Sequence, residues 1–328
     1  MTGGRGAVDR RTVLRGLGAL GVLGALPTLS ACAAPFRDVR LTLATGGTQG
    51  VYFALGTALA VEYQQRLGLV NPPVVRSTAG SVENLLLLAA GAADIVFSQV
   101  DAAADHLQRI APDDPRSPRA LSRVYDEFVQ VVVPAGSSIR TLRELRGRKV
   151  SIGARDSGVE FVARRLLRVA GISPESDLQA EYLSINESVN ALRAGTVDAF
   201  FWTGGLPTSG VTELAAETPI RLLDLEAEDL LKDVRDAFPV YAPGTVPAAM
   251  YGLTTPIKTV LVRNFLIVPA DMPSDLAYAL VETVFAAQER LARASPAALT
   301  IDLRAAIGTQ PVALHPGAER YFREAKKS

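Results

Sequence analysis

Short apolar stretches alternate with helical patterns from residue 39 onward, and this alternation limits the possible folds more than any other feature. Strands are expected at residues 39–44, 74–77 and 94–98, and a helical pattern follows each of the first two. Alternation of strand and helix at this spacing predicts parallel strands that are joined by right-handed crossovers. The same pattern resumes after residue 141. The sequence therefore predicts an α/β protein.

The length of 328 residues allows two domains or lobes. Two β-branched stretches, at 128–133 and 259–268, are expected to carry the chain between the lobes and to act as a hinge. We therefore assign residues 39–128 and 262–328 to lobe 1, and residues 129–261 to lobe 2. Ligands of open α/β sheets bind beyond the carboxyl ends of the strands, which predicts an interlobe cleft lined by the loops after the strands.

Residues 1–31 have the pattern of an export signal. Arg10 and Arg11 precede a short apolar run, and Leu29-Ser30-Ala31 precede Cys32. A charged start, an apolar run and small residues at the end are typical of secretory signals, and paired arginines are typical of twin-arginine export. The last four of these residues resemble a bacterial lipobox. This predicts lipidation of Cys32, a linker over 32–38, and anchoring in the periplasm or at the outer face of the cell membrane. Ordinary cleavage near Ala34 is the alternative.

Composition argues against several classes of function. The chain has 34 basic and 34 acidic residues, whereas a nucleic-acid-binding protein needs a basic face. Cys32 is its one cysteine, so a chain processed there has no thiol available for a disulfide, a metal or nucleophilic catalysis. The two histidines, His106 and His315, are far apart in sequence. We therefore expect no nucleic-acid partner, no metal and no cofactor.

Four loops that follow expected strands are rich in glycine and hydroxyl residues. They span residues 45–50, 78–81, 155–158 and 203–205. Each precedes an expected helix, whose free amide groups and positive dipole end attract anions. Capping of the helices is the alternative explanation of this composition. Convergence of all four loops on one cleft predicts a binding site for a small anion.

The chain resembles the solute-binding subunits of the TAXI branch of the TRAP (tripartite ATP-independent periplasmic) transporters. The resemblance lies in segments 45–56, 80–85, 88–94, 198–205 and 314–322. It implies a two-lobed type II periplasmic-binding-protein fold. It also implies capture of a small organic anion, such as glutamate, 2-oxoglutarate or another dicarboxylate, for an integral membrane TRAP permease. A binding protein of an ABC importer and a ligand-presenting subunit of a membrane sensor are the alternatives.

The resemblance also implies which residues contact the ligand, with Tyr52 as an aromatic wall. They are Gly47, Thr48, Tyr52, Ser81, Asn84, Gln99, Ser157, Gly158, Trp202, Thr203 and Gly205. Arg155 and Asp156 depart from the family pattern. They could bind a zwitterion, with Arg155 on its carboxylate, or they could be a solvated surface pair.

Catalysis is not expected. Ser157 is the conspicuous nucleophile candidate, but it does not stand in the Gly-x-Ser-x-Gly pattern of hydrolases. Neither histidine has an obvious route to it as a base.

Overall fold

The computed structural model describes residues 1–2, 35–111, 113–226 and 230–327. The chain separates into two compact units, Met1–Pro35 and Phe36–Ser328, and the fold described below is that of the second unit. The signal sequence, the twin-arginine pattern and Cys32 lie outside the described residues. No helix within the described ranges is both long enough and apolar enough to cross a membrane.

The strands of the described residues join a single mixed sheet. They are β1 (Thr42–Ala44), β2 (Val74–Arg76), β3 (Ile95–Gln99), β4 (Pro118–Pro134), β5 (Lys149–Ser151), β6 (Gln179–Glu181), β7 (Ala199–Gly204), β8 (Ile220–Leu222), β9 (Ala242–Val246) and β10 (Ile257–Pro269). The order across the sheet is β2-β1-β3-β10-β4-β7-β5-β6, with β8 paired to β4 and β9 paired to β10.

Helices connect the parallel strands and cover the sheet. They are α1 (Val51–Leu67), α2 (Ser81–Ala89), α3 (Val100–Leu107), α4 (Gly158–Val169), α5 (Ile185–Arg193), α6 (Ser209–Glu217), α7 (Leu230–Ala237), α8 (Ser274–Ala286), α9 (Gln288–Ala294), α10 (Leu303–Ala306) and α11 (Pro316–Ala325). The strands β1, β2, β3, β5, β6 and β7 are each followed by a helix, which confirms the predicted α/β alternation.

Two groups of three parallel strands lie on either side of a long antiparallel pair. The first sheet unit comprises β1, β2 and β3, and the second sheet unit comprises β5, β6 and β7. Between them lie β4, of 17 residues, and β10, of 13 residues, which pair with each other over most of their length. Both are much longer than the usual strand of about five or six residues. They are therefore the backbone shared by the two units, whereas the lobe limits at 128/129 and 261/262 stay a prediction.

The hydrophobic core forms three clusters. One packs α1 and α8 on the first sheet unit and another packs α5 and α6 on the second. The third cluster joins the two sheet units. It contains Leu85 of α2 and Val100 of α3 together with Val162 and Leu166 of α4, and all four are essentially inaccessible to solvent. Burial of apolar area at about 25 cal/mol per Å² makes this contact stabilising. The two sheet units are therefore packed together in a closed arrangement.

Some elements differ from the sequence-based expectation. The strand expected at 128–133 begins ten residues earlier, at Pro118. The sequence did not indicate these ten residues, because buried polar residues such as Ser122 and Glu127 interrupt the apolar pattern. The helix expected at 141–145 is a short 3-10 turn, Arg143–Leu145. The strand β9 was not expected, because Pro243 and Gly244 disfavour strand interiors, and it pairs with β10 alone.

Candidate anion-binding cleft

The starts of several helices from both sheet units surround one cavity. Its lining includes Gly50 and Val51 at the start of α1, Gly80 and Ser81 at α2, Gln99 before α3, Ser157 and Gly158 at α4, and Ser184 and Ile185 at α5. The cavity volume is about 90 Å³. Helix starts carry free amide groups and the positive ends of helix dipoles, so the arrangement creates a positive potential without a basic side chain.

The starts of α1 and α2 are left open by glycine. Gly50 and Gly80 occupy the N-cap positions, and no side chain caps either helix. The first-turn amides of a helix lack intrahelical partners and need another acceptor. Gly80 has a φ of +129°, which side chains disfavour, so glycine is required there. In α2 the Glu83 amide donates to the Asp156 carbonyl, so the remaining first-turn amides of α1 and α2 are the ones best suited to receive an anion.

The starts of α4 and α5 are capped by serine instead. Ser157 Oγ accepts a hydrogen bond from the Glu160 amide at 3.0 Å. Ser184 and Glu187 form a reciprocal capping box, in which each side chain accepts from the backbone amide of the other residue. Among the four predicted loops, the capping alternative therefore applies to Ser157, and Ser184, which lies outside those loops, caps α5 in the same way; both serines also line the cavity. The fourth loop, 203–205, does not begin a helix, because α6 starts at Ser209.

The start of α4 meets the first sheet unit across the cavity. A Cβ atom at Gly158 would lie 2.6 Å from Gln99 Cδ and 2.8 Å from Ser81 Oγ, distances that real Cβ atoms do not show. The Glu83 amide of α2 donates to the Asp156 carbonyl at 3.0 Å. A glycine at position 158 therefore allows the two units to approach this closely.

A buried carboxyl group forms part of the cavity floor. Glu127 of β4 is 5% exposed, and its Oε2 accepts from Gln99 Nε2 at 2.6 Å while its Oε1 accepts from the Tyr125 hydroxyl at 2.8 Å. Gln99 Nε2 also donates to Thr203 Oγ1 at 2.7 Å, which links the two sheet units. Burial raises the pKa of Glu127 above its ordinary value. The floor is thus a hydrogen-bonded network of neutral polar side chains around one titratable carboxyl.

A second network fixes the wall formed by Tyr52. The Tyr52 hydroxyl donates to Asn264 Oδ1 and lies 3.3 Å from Ser81 Oγ. Because the phenol has a single proton, Ser81 is the donor to Tyr52. Ser81 Oγ in turn accepts from the backbone N–H of Gln99 at 3.1 Å. The Tyr52 ring stacks on Phe97 with 5.0 Å between centroids. Burial, followed by the nearby Glu127, raises the pKa of Tyr52, so it stays neutral.

The remaining walls are largely apolar. Val51, Val159, Leu183, Ile185, Phe201 and Trp202 line them. The Trp202 indole donates to Thr208 Oγ1 at 3.0 Å, which fixes the ring. A Cβ atom at Gly204 would lie 3.1 Å from Trp202 Cε2, so glycine also leaves room for the indole. Apolar walls exclude water and strengthen the electrostatic attraction of the helix starts.

Most of the predicted ligand-contacting residues line this cavity. They are Gly47, Tyr52, Ser81, Gln99, Ser157, Gly158, Trp202 and Thr203. Thr48 is exposed on its loop. Asn84 is buried behind the wall, where it donates to the Phe97 carbonyl at 2.9 Å and accepts from Thr78 Oγ1 at 2.7 Å, so it positions the loops. Gly205 is buried, and a Cβ atom there would lie 2.9 Å from Ala297.

The charged pair beside the cleft points to solvent. Arg155 and Asp156 are exposed, and neither lines the cavity. The Arg155 guanidinium lies 3.7 Å from the centroid of the Tyr182 ring, and the Asp156 amide donates to the Glu160 carboxylate at 2.9 Å. The left-handed turn at Asp156, with a φ of 60°, forms part of this exposed loop. The geometry matches the surface-pair alternative, and it gives no support to a zwitterion site built from Arg155 and Asp156.

Glu127 lines the cavity and was not among the residues that the sequence analysis predicted. Glu127 immediately precedes the strand that the sequence analysis expected at 128–133, and its neighbour Asp126 forms an ion pair with Arg123. Strand periodicity held the missing signal, because residues two apart share a face of a strand. Tyr125 and Val129 flank Glu127 on one face, and both are buried.

The polar groups of the lining are therefore main-chain amides, hydroxyls, the side-chain amide of Gln99 and the carboxyl of Glu127. No histidine, lysine or arginine is among the residues that line the cavity. His315 caps α11 instead, where its Nδ1 accepts from the Gly317 amide at 3.1 Å. The described part of the chain contains no group of three His, Cys, Asp or Glu residues able to hold a metal ion.

Residues 43–325 match the NMT1-like family model, which spans nearly all of the described chain. The chain belongs to the NMT1-like family. Among solved structures, this NMT1-like chain is similar to one titled "Structure of a periplasmic transporter", with 16% identity over 90% of this chain and 94% of the other and a TM-score of 0.53. It is also similar to XAC2383 from Xanthomonas citri, solved with ATP and with chloride ion. Each has 13% identity over 88% of this chain and 96% of that one, with TM-scores of 0.51 and 0.50.

At these identities the likeness concerns the fold. The mixed α/β fold with a central sheet, which the sequence predicted, is shared with these solved structures and is confirmed for the NMT1-like chain, and the predicted two-lobed architecture is consistent with them.

Proposed function

We propose that this NMT1-like chain is an extracytoplasmic solute-binding protein that encloses a small anionic solute between its two sheet units and delivers it to a membrane transporter. One observation carries the proposal. The starts of α1 and α2, both open glycine N-caps, and the starts of α4 and α5 line the same cavity. Main-chain amides then hold the anion, with no need for a basic side chain.

The closed arrangement supports capture by closure. A solute favours the closed state only through contacts that the open state lacks. Here the cavity lining comes from both sheet units, with Ser81 and Gln99 from the first and Gly158 and Thr203 from the second. The cavity of about 90 Å³ corresponds to roughly six to nine water-sized groups. We therefore expect a solute as small as a short-chain carboxylate, with glutamate, 2-oxoglutarate and related dicarboxylates as the leading candidates.

Binding is favoured over catalysis by the chemistry of the lining. The Ser157 hydroxyl accepts from the Glu160 amide and caps α4, and no histidine lines the cavity to act as its base. A serine nucleophile needs an adjacent base within hydrogen-bond reach.

A thermal-shift screen tests the proposed function. The purified chain from residue 36 onward is screened against amino acids, dicarboxylates, sulfonates, nitrate and chloride. A compound present at 100 times its Kd stabilises the folded protein by about 2.7 kcal/mol, so a true ligand raises the melting temperature clearly. Calorimetry on each hit then measures affinity. If no anion in the screen shifts the melting temperature or gives binding heat, the proposed function is wrong.

The transporter is proposed to be a TRAP carrier of the TAXI type, on the strength of the resemblance in segments 45–56, 80–85, 88–94, 198–205 and 314–322. Its permease would supply the ion coupling. An ABC importer is the alternative. A neighbouring gene for a large fused permease would indicate the TRAP carrier, whereas neighbouring genes for a permease and an ATPase would indicate the ABC importer. A membrane sensor is the second alternative, and deletion of the gene would then abolish a transcriptional response while leaving solute uptake intact.

Export and anchoring complete the proposal. We propose that residues 1–31 direct twin-arginine export and that Cys32 is lipidated, so that the protein works outside the cytoplasm at the membrane surface. The support is the sequence pattern of Arg10-Arg11 and of Leu29-Ser30-Ala31-Cys32.

A further inference from the structure

Glu127 is a buried carboxyl group with no cationic partner. It is 5% exposed, it lines the cavity, and its hydrogen-bond partners are neutral groups of Gln99, Tyr125 and Thr203. No ion pair within the described ranges includes it. The titratable groups near enough to act on it are Tyr52, Tyr125 and Asp101, and none of these is a cation. Proteins rarely bury a carboxylate unpaired, so this floor is incomplete as it stands.

Gln99 adds an acceptor that has no donor. Its Nε2 group donates to both Glu127 Oε2 and Thr203 Oγ1, so the amide nitrogen faces these two oxygens. A flipped amide would place its oxygen against the Glu127 carboxyl, which fixes the orientation. Gln99 Oε1 is consequently left on the side of Gly158, buried and with no hydrogen-bond partner. Gln99 and Gly158 both line the cavity, so this orphaned acceptor adjoins the space a solute would fill.

The two acceptors lie in the same cavity as the open helix starts of α1 and α2, which attract negative charge. One cavity therefore offers two kinds of recognition, amide donors for an anion and acceptors for a donor group. We propose that Glu127 and Gln99 Oε1 recognise a protonated amine on the solute, so that the site selects an amino acid over the oxo or hydroxy acid of the same carbon skeleton.

This inference rests on the proposed function, because it names the class of solute that the same cleft prefers. A protonated amine has three N–H donors and a positive charge, so in this proposal it donates to Gln99 Oε1 and supplies the cation that Glu127 lacks. An oxo acid presents only acceptors there, so it leaves Gln99 Oε1 unpaired and brings no cation to Glu127. A hydroxy acid has one donor and no charge, so it serves only one of the two groups. The three solutes share a carbon skeleton and their carboxylates and differ in the substituent at Cα, and the Glu127 variant described below assigns the difference in affinity to this floor.

Calorimetry with matched solutes tests the inference. Glutamate, 2-oxoglutarate and 2-hydroxyglutarate form one set, and aspartate, oxaloacetate and malate, then alanine, pyruvate and lactate, form two smaller ones. We expect the wild-type protein to bind the amine member of its best set at least about tenfold more tightly than the oxo member, because a site built for a donor rejects the analogue that lacks it. An oxo or hydroxy acid that binds as tightly as the amino acid overturns the inference without the need for any variant.

A variant locates the preference in Glu127. Glu127→Gln keeps the shape of the side chain and removes its charge, and we expect the preference for the amine to fall to within about threefold while binding of the oxo acid is retained. Asp126→Asn is the matched control, because Asp126 is the adjacent acidic residue, pairs with Arg123 and does not line the cavity. An unchanged preference in Glu127→Gln, or an equal loss in Asp126→Asn, overturns the assignment.

Failure of the inference is distinguishable from failure of the proposed function. If the wild-type protein binds members of a set but does not prefer the amine, the cleft binds solutes and the floor does not select for an amine. If the wild-type protein binds no anion at all, the proposed function is wrong and the inference falls with it. Melting temperatures of the free variants show that a loss of binding does not arise from unfolding.

Discussion

Replacement of Gly158 by alanine tests whether the cleft closes by contact between the two sheet units. Gly158 begins α4 of the second unit, and Gln99 and Ser81 belong to the first. The added Cβ would lie 2.6 Å from Gln99 Cδ and 2.8 Å from Ser81 Oγ, against the distances above about 3.4 Å of ordinary contacts. The atoms nearest to the added Cβ all belong to Gln99 and Ser81 of the first sheet unit. The methyl group therefore obstructs the closed arrangement of the two sheet units.

The expected magnitude follows from the cost of overpacking. An additional methyl group in a packed interior costs typically about 1–3 kcal/mol. If that cost applies to the closed state alone, solute affinity falls by about 5- to 150-fold, since each 1.4 kcal/mol is a factor of ten. Because the open state is free of the clash, the melting temperature of the solute-free protein should change much less than the affinity does.

Calorimetry with the best solute from the screen measures the affinity, and small-angle X-ray scattering with solute measures closure. Gly136→Ala is the matched control, because a Cβ there meets no atom within 4 Å. An unchanged affinity in Gly158→Ala would refute the reasoning. So would a loss of stability in the solute-free protein as large as the loss of binding energy, because the clash would then lie in both states.

Three further predictions concern other groups. Burial raises the pKa of Glu127 above 4.5, so the folded state favours its protonated form, and the stability that this contributes is lost as pH rises through the raised value. Glu127→Gln should therefore melt higher than the wild type near pH 7 and no differently below about pH 4 in solute-free scans, and a gap that widens as pH falls contradicts this. Ser157→Ala removes the oxygen that accepts from the Glu160 amide and should lower the free energy of unfolding by about 1 kcal/mol in urea titrations, with Ser184→Ala as the parallel case for α5. Cys32→Ala in the full chain should move the protein from the membrane fraction to the released fraction, and continued membrane association would contradict lipidation.

The fold could be predicted because its signals are local. Strands such as β3 are short apolar runs, and each is followed by turn residues and a helical pattern, so their parallel order follows from chain geometry. The weak points are β4 and β10, whose polar residues Ser122 and Asn264 are buried by pairing between distant segments. Sequence periodicity does not report pairing of that range, so the first ten residues of β4 were missed, whereas the expected stretch 259–268 agrees with β10 to within two residues.

The site could be predicted where it depends on the main chain. Gly47, Ser157 and Gly158 were found because glycine and hydroxyl residues before a helix have a direct physical meaning. Thr48 and Arg155 were expected in the cleft, but the direction in which a loop side chain points depends on turns such as the one at Asp156. Glu127 was overlooked because burial of a carboxyl depends on which face of β4 is covered, and this is a tertiary property.

The glycine starts of α1 and α2 have a consequence for how such a protein diversifies. Because the proposed grip on the anion comes from peptide groups, which every residue possesses, point mutations rarely remove it. Substitutions of lining residues such as Glu127 or Trp202 can then change which solutes bind, through the part of the solute that is not its anionic group. A lineage built on this cleft would change its cargo by exchanging a few side chains while its hold on negative charge is inherited intact.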